Sequence, residues 1–161
     1  MTNAPEAHDE EPLRLPDLER GVETILVPID GSPGSERGLA LAAMLAGRLG
    51  ARVVVVVAFN PPVTVRRRGI IAAEQAKSEM EEDARDLAEE ATQLLLEREL
   101  RARGLAVEGE PVEAILDSAG REGADMIVMG RRGLGRLQGL LVGSVSERVA
   151  RHAEIPVVLT S

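Results

Sequence analysis

Apolar residues fall along this chain in short blocks, separated by longer segments with helical spacing. The first block, "ETILVPID" (Glu23–Asp30), is almost continuously apolar, which fits a strand buried on both faces, as in a parallel sheet. "GSPGSERGLALAAMLAGRLG" follows. Ser32 is a good N-cap and Pro33 occupies the first helical position, where its missing N–H is harmless. Leu39, Ala42, Leu45, Ala46 and Leu49 then recur at helical spacing, and Gly50 stops the helix. "ARVVVVVAF" (Ala51–Phe59) is a second strand, ended by Asn60, Pro61 and Pro62. The unit is β-α-β, so its crossover should be right-handed.

After a loop over 61–73, a long helix is expected from about Glu74 to Arg103. Met80, Ala84, Leu87, Ala91, Leu94 and Leu95 form its apolar stripe. Glu81–Arg85, Glu97–Arg101 and Glu99–Arg103 are candidate pairs on its wet side, and Gly104 would close it. "LAVEGE" (Leu105–Glu110) reads as a third strand and Pro111–Gly123 as a third helix. "ADMIVMG" (Ala124–Gly130) is a fourth, solidly apolar strand. A helix over about Gly143–His152 and a last strand in "IPVVLTS" (Ile155–Ser161) complete the order. Strict alternation of strands and helices argues for an α/β fold, a parallel sheet with helices on both faces. Such sheets take ligands beyond the carboxyl ends of their strands, where the strand order reverses.

Composition narrows the chemistry. At 161 residues the chain suits one domain, and with Phe59 as its one aromatic residue the core must be aliphatic. A flat ligand would be gripped by aliphatic side chains and backbone. No Cys is present, which excludes disulfides and thiolate metal sites and fits a reducing cytoplasm. The net charge of −8 argues against a nucleic-acid surface. No apolar run reaches membrane-spanning length, and no signal peptide is read at the start. Residues 1–20 hold six acidic against two basic residues, half of the net charge. They read as a disordered acidic tail, with docking on a partner or on the domain itself as the alternative.

Two strands are followed at once by small residues: Asp30-Gly31-Ser32 after the first, and "GRRGLGRLQGLLVGSVS" (Gly130–Ser146) after the fourth. If those strands are neighbours, both segments line one crevice. Gly130 and Gly133 can bend the chain, and Gly143 lets backbone N–H groups approach a ligand. Ser144 and Ser146 fall in the first turn of a helix, where unpaired N–H groups and the helix dipole favour an anion. A polyphosphate is the natural guest; a loose loop is the alternative. Arg131, Arg132 and Arg136 could neutralise phosphate or lie solvated. Arg66–Arg68 read as a solvated loop or as a lid, and His152 as a residue complementing a helix dipole.

From Glu23 to Thr160 the sequence resembles the universal stress protein family. The resemblance rests on "ILVPIDGS", "ADMIVMG", the spacing Gly130-x2-Gly133-x9-Gly143-Ser144, and the closing "IPVVLT". It implies a single-domain, doubly wound, open five-stranded parallel sheet of order 3-2-1-4-5 over residues 21–161, and membership of the ATP-binding branch. By resemblance, Pro28 and Asp30 lie beside the nucleoside, with Asp30 near the ribose, and Ala58 meets the adenine through its backbone. Met129 and Gly130 would flank the sugar, while Gly133, Gly143, Ser144, Val145 and Ser146 hold the phosphates. Mg²⁺ or Mn²⁺ would bridge those phosphates. The family also implies a homodimer, through the strand at Pro156–Thr160.

Three readings follow: a nucleotide-binding regulatory module for ATP or cAMP, a slow ATPase or nucleotidyl or phosphoryl transferase, and a nucleotide-free interaction module. No G-x4-G-K-[ST] motif is present, and Lys77, the one lysine, lies far in sequence from the glycine-rich segment. The expectation is therefore a protein that holds ATP rather than one built to turn it over.

Overall fold

The structure, a computed structural model, describes residues 21–61, 70–131, 133 and 143–161. The acidic segment 1–20, Arg66–Arg68, Arg132 and Arg136 lie outside them. The apolar blocks form β1 (Thr24–Pro28), β2 (Arg52–Phe59), β3 (Ala102–Glu108), β4 (Met126–Gly130) and β5 (Val157–Thr160). Between them run α1 (Pro33–Leu49), α2 (Ile70–Leu96), α3 (Pro111–Glu122) and α4 (Ser144–His152). The sheet order is β3-β2-β1-β4-β5, and every neighbouring pair is parallel.

Side chains alternate across a strand, so continuous apolar runs feed two cores. Ile25, Val27, Val53 and Val55 face α1 and α2, while Leu26, Val54, Val56 and Ile127 face α3 and α4. All eight are completely buried. Each stabilises the fold by about 1.5–3 kcal/mol relative to exposure. At the strands' amino ends the Asp125 carboxylate accepts from the N–H groups of Glu23 and Thr24, at 2.9 and 3.0 Å, clamping β1 to β4.

The helix ends expected for α1 and α3 form as the residues dictate. Ser32 Oγ accepts from the Ser35 N–H, Pro33 opens α1, and Gly50 closes it in the left-handed conformation. Gly123 does the same for α3.

The long helix departs from expectation. It begins at Ile70 rather than Glu74 and ends at Leu96 rather than Arg103. Glu99 then takes φ 59°, and the Leu100 N–H reaches back to the Leu95 carbonyl at 3.2 Å. β3 starts at Ala102, three residues before Leu105. Gly104 is therefore not a helix stop but a mid-strand residue. A Cβ there would stand 2.7 Å from the Ala88 carbonyl oxygen, so glycine is what lets α2 lie on β3. With the helix finished, Glu97–Arg101 and Glu99–Arg103 are no longer neighbours on its surface. Arg103 instead pairs with Glu122 at 3.3 Å, and Arg101 donates to the Gly50 carbonyl. The Glu81–Arg85 pair forms as expected. Ala88 is buried in the stripe, and Leu94, expected there, is 43% exposed.

Candidate functional site

The chain runs outward from β1 to β2 and β3, then returns to place β4 on the other side of β1. The order reverses between β1 and β4, and both strands hand over to helices at that point.

The β1 exit satisfies its own polar groups. Gly31 has φ 75°, which a side chain would strain. Asp30 Oδ1 accepts from the Ser32 N–H at 3.0 Å. Ser32 Oγ accepts from the Ser35 N–H at 3.2 Å, and the Ser35 hydroxyl donates to the Ser32 carbonyl at 2.9 Å. Both serines are buried.

The β4 exit is built differently. The Arg131 N–H bonds the Thr160 carbonyl at 2.9 Å, joining it to the end of β5. The Arg131 carbonyl accepts from the Gly143 N–H and from the Ser146 hydroxyl, each at 2.7 Å. That carbonyl ties the two ends of segment 132–142 together. The buried Ser146 hydroxyl thus clamps the start of α4 to Arg131, a role that sequence reasoning missed. Gly143 is the N-cap of α4 and offers no side-chain acceptor. The N–H groups of Ser144, Val145 and Ser146 are the first three of α4 and have no acceptor within the helix.

Among the described glycines of this exit, Gly130 and Gly133 serve close approach rather than unusual dihedrals. Positive φ occurs at Gly31, Gly50, Gly109 and Gly123, not at Gly130 or Gly133, and Gly143 is extended at φ −73°. A Cβ on Gly130 would lie 2.5 Å from the backbone of Gly34, so the first turn of α1 rests on the end of β4. One on Gly133 would lie 2.3 Å from Asp30 Oδ2, so the two exits meet there.

A cavity of about 220 Å³ opens between them. Pro28 and Asp30 border it from the β1 end and Ala58 from the β2 end. Met129, Gly130 and Gly133 border it from the β4 exit. Gly143, Ser144, Val145 and Ser146 close it from α4. All ten positions singled out from the sequence therefore line one cavity. The structure adds Ile29, Ser35, Val56, Pro111 and Ile115. Val56 was legible as the residue two before Ala58 on the same strand face. Pro111 and Ile115 come from α3, whose closeness depends on the packing of the whole layer.

The cavity joins two kinds of surface. Val56, Ile115, Met129 and Val145 give an apolar wall suited to a flat ring. The open start of α4 and the Ser144 hydroxyl give donors suited to an anion. Arg131 is half-buried, and its side chain does not border the cavity. His152 sits in the last turn of α4, with Nδ1 2.8 Å from the Arg148 carbonyl, and does not border it either. Among the described residues, no group of three or more His, Asp and Glu could hold a metal by itself, and no helix is long and apolar enough to cross a membrane.

The profile of the universal stress protein family matches residues 21–161. The chain belongs to the universal stress protein family. It is 39% identical over 137 residues to the "Universal stress protein in QAH/OAS sulfhydrylase 3'region" of Thermus aquaticus, covering 85% of this chain and 97% of that protein. The solved structure of the hypothetical protein MJ0577 superposes with a TM-score of 0.78 at 26% identity, over 88% of this chain and 96% of its own. A universal stress protein solved in complex with cAMP gives a TM-score of 0.67 at 26% identity, over 88% and 99%. The doubly wound sheet is thus the fold of the family.

Proposed function

We propose that this universal stress protein is a regulatory module that binds an adenine nucleotide in the switch-point cavity, with ATP as its ligand. The observation that carries the reading is the meeting of an apolar wall and an uncapped helix start across one cavity. Val56, Ile115 and Met129 suit the base, with the Ala58 backbone beside it, and Asp30 suits the ribose. The N–H groups at the start of α4 and the Ser144 hydroxyl suit the phosphates. Gly133 leaves the space beside Asp30 that a side chain would fill. Mg²⁺ or Mn²⁺ would be held mainly by the phosphates and would supply charge neutralisation. A ligand that binds only the folded chain stabilises it in proportion to the logarithm of its concentration, which gives such a module its means of signalling.

Holding rather than turnover is favoured because Lys77 pairs with Glu108 at 2.6 Å and does not border the cavity. Protein stripped of carried-over ligand should bind ATP with metal by calorimetry. Its phosphate release should stay below roughly 1 per second, the low end of ordinary enzymes. Absence of binding at millimolar ATP would leave the nucleotide-free interaction module as the better reading. Mass spectrometry of the small molecule that co-purifies is an independent check.

A second reading, cAMP as the ligand, is supported by the related protein solved with cAMP. Competition decides it: ATP displacing bound cAMP at equal concentration favours the first reading, and the reverse favours the second. We further propose a homodimer through β5. It is one of the two outer strands of the sheet, Leu159 is 36% exposed, and Thr160 Oγ1 is buried without a hydrogen-bond partner. A monomer in sedimentation at micromolar concentration would refute it.

A further inference from the structure

A second hollow, of about 740 Å³, runs along α1 beside the C-terminal part of α2. Leu39, Ala43 and Met44 line one side, Leu94 and Leu95 the other, and Leu100 closes the end. Met44 is 50% exposed and Leu94 43%; Leu49 and Leu96, at the ends of the same two helices, are 51% and 47% exposed. Leu159 is the one other large apolar side chain so exposed among the described residues, so exposed apolar surface is concentrated here. Such a patch on a charged protein marks a place where something docks.

The charges along the hollow are ordered. Glu36 stands near the start of α1, while Arg48 is in its last turn and Arg98 lies just beyond the end of α2. In β-α-β units the helices run back toward the amino ends of the strands, so the two arginines stand at the end where β1 begins. Val22, just before β1, packs against the same core cluster as Leu39, Leu45 and Leu100. The chain therefore enters the domain on this face and at the basic end of the hollow.

We propose that the chain's own segment Leu13–Arg20, "LRLPDLER", docks in this hollow. It carries three leucines in eight residues, with Asp17 and Glu19 lying between Arg20 at the domain junction and Arg14 farther out. Laid outward from Gly21, its carboxylates fall beside Arg48 and Arg98, Leu18 and Leu15 over Ala43, Met44 and Leu94, and Arg14 beside Glu36. The lengths agree. Glu36 to Arg48 is twelve helical steps, about 18 Å, and Arg14 to Glu19 is five extended steps, about 17 Å. Direct linkage to β1 supplies a high effective concentration, so a modest contact suffices. This inference is independent of what fills the switch-point cavity.

Limited trypsin digestion of the full chain, read by mass spectrometry at Arg14–Leu15 and Arg20–Gly21, tests it. Docking predicts that both bonds are cut roughly tenfold more slowly than in the Leu13→Ser/Leu15→Ser/Leu18→Ser variant, because cleavage tracks the undocked population. Met44→Glu, on the other partner, should accelerate the same two cuts. The triple variant changes none of the described residues, so the comparison does not depend on Met44→Glu folding. Equal rates in parent and triple variant overturn the proposal. Protection that disappears on dilution assigns the hollow to a second copy's segment and overturns the intramolecular contact.

Discussion

β1 and β4 end side by side, and a Gly-Ser pair stands at the start of the helix that follows each, yet the two exits do opposite things. At the β1 exit, Ser32 caps α1, and the Asp30 carboxylate and Ser35 hydroxyl are drawn into the same turn. At the β4 exit, Gly143 caps α4 with no side chain, and the one side-chain hydroxyl nearby that is buried, that of Ser146, is directed back to the Arg131 carbonyl. One helix start is satisfied by the protein; the other is left for something else. A Gly-Ser sequence before a helix does not by itself mark an anion site. The difference lies in whether a neighbouring side chain has already taken the donors.

Substitutions that close the open exit should have the largest effect. Ser144→Glu puts a carboxylate at the start of α4 that competes for the same donors. It should weaken nucleotide binding by about 100-fold, about 2.8 kcal/mol, in calorimetry, with an unchanged circular dichroism spectrum. Next comes the contact that holds the exits together. Gly130→Ala drives a Cβ against the Gly34 backbone. A lower denaturant midpoint is expected, by about 1–3 kcal/mol, as for overpacked cores. An unchanged midpoint would show that α1 does not rest on β4 as described. On the closed exit, Ser32→Ala removes the α1 cap and should cost about 1 kcal/mol of stability. Nucleotide affinity should stay near that of the parent; a loss as large as that of Ser144→Glu would erase the contrast between the exits. Similar in size is Ser146→Ala, which removes the hydroxyl bridge to Arg131 and should cost about 0.5–1.5 kcal/mol. Faster amide exchange at Gly143 would report the loosened clamp.

Much of this was legible in the residues. Unbroken apolar runs such as Val53–Val57 required strands buried on both faces, and Ser32, Pro33, Gly50 and Gly123 marked the ends of α1 and α3 where they stand. The ten positions around the cavity came from small residues following two strands, together with a family resemblance that carried their roles. What local pattern could not show was contact between distant segments. Gly104 looked like a helix stop because the two uses of glycine, ending a helix and admitting a neighbouring backbone, are identical in one dimension. Glu97, Glu99 and their arginines looked like helix pairs for the same reason. The clamp through the Arg131 carbonyl was invisible because its acceptor is backbone. Pro111 and Ile115 join the cavity only because α3 packs beside α4.

The central claim is that the uncapped start of α4 seats the phosphates of a nucleotide. Calorimetric titration of the ligand-stripped full chain with ATP and Mg²⁺, beside adenosine alone, tests it most directly. The account predicts that ATP binds at least tenfold, about 1.4 kcal/mol, more tightly than adenosine, and that Ser144→Glu removes that advantage while leaving adenosine binding in place. Equal affinities for ATP and adenosine, or an ATP advantage that survives Ser144→Glu, would contradict it.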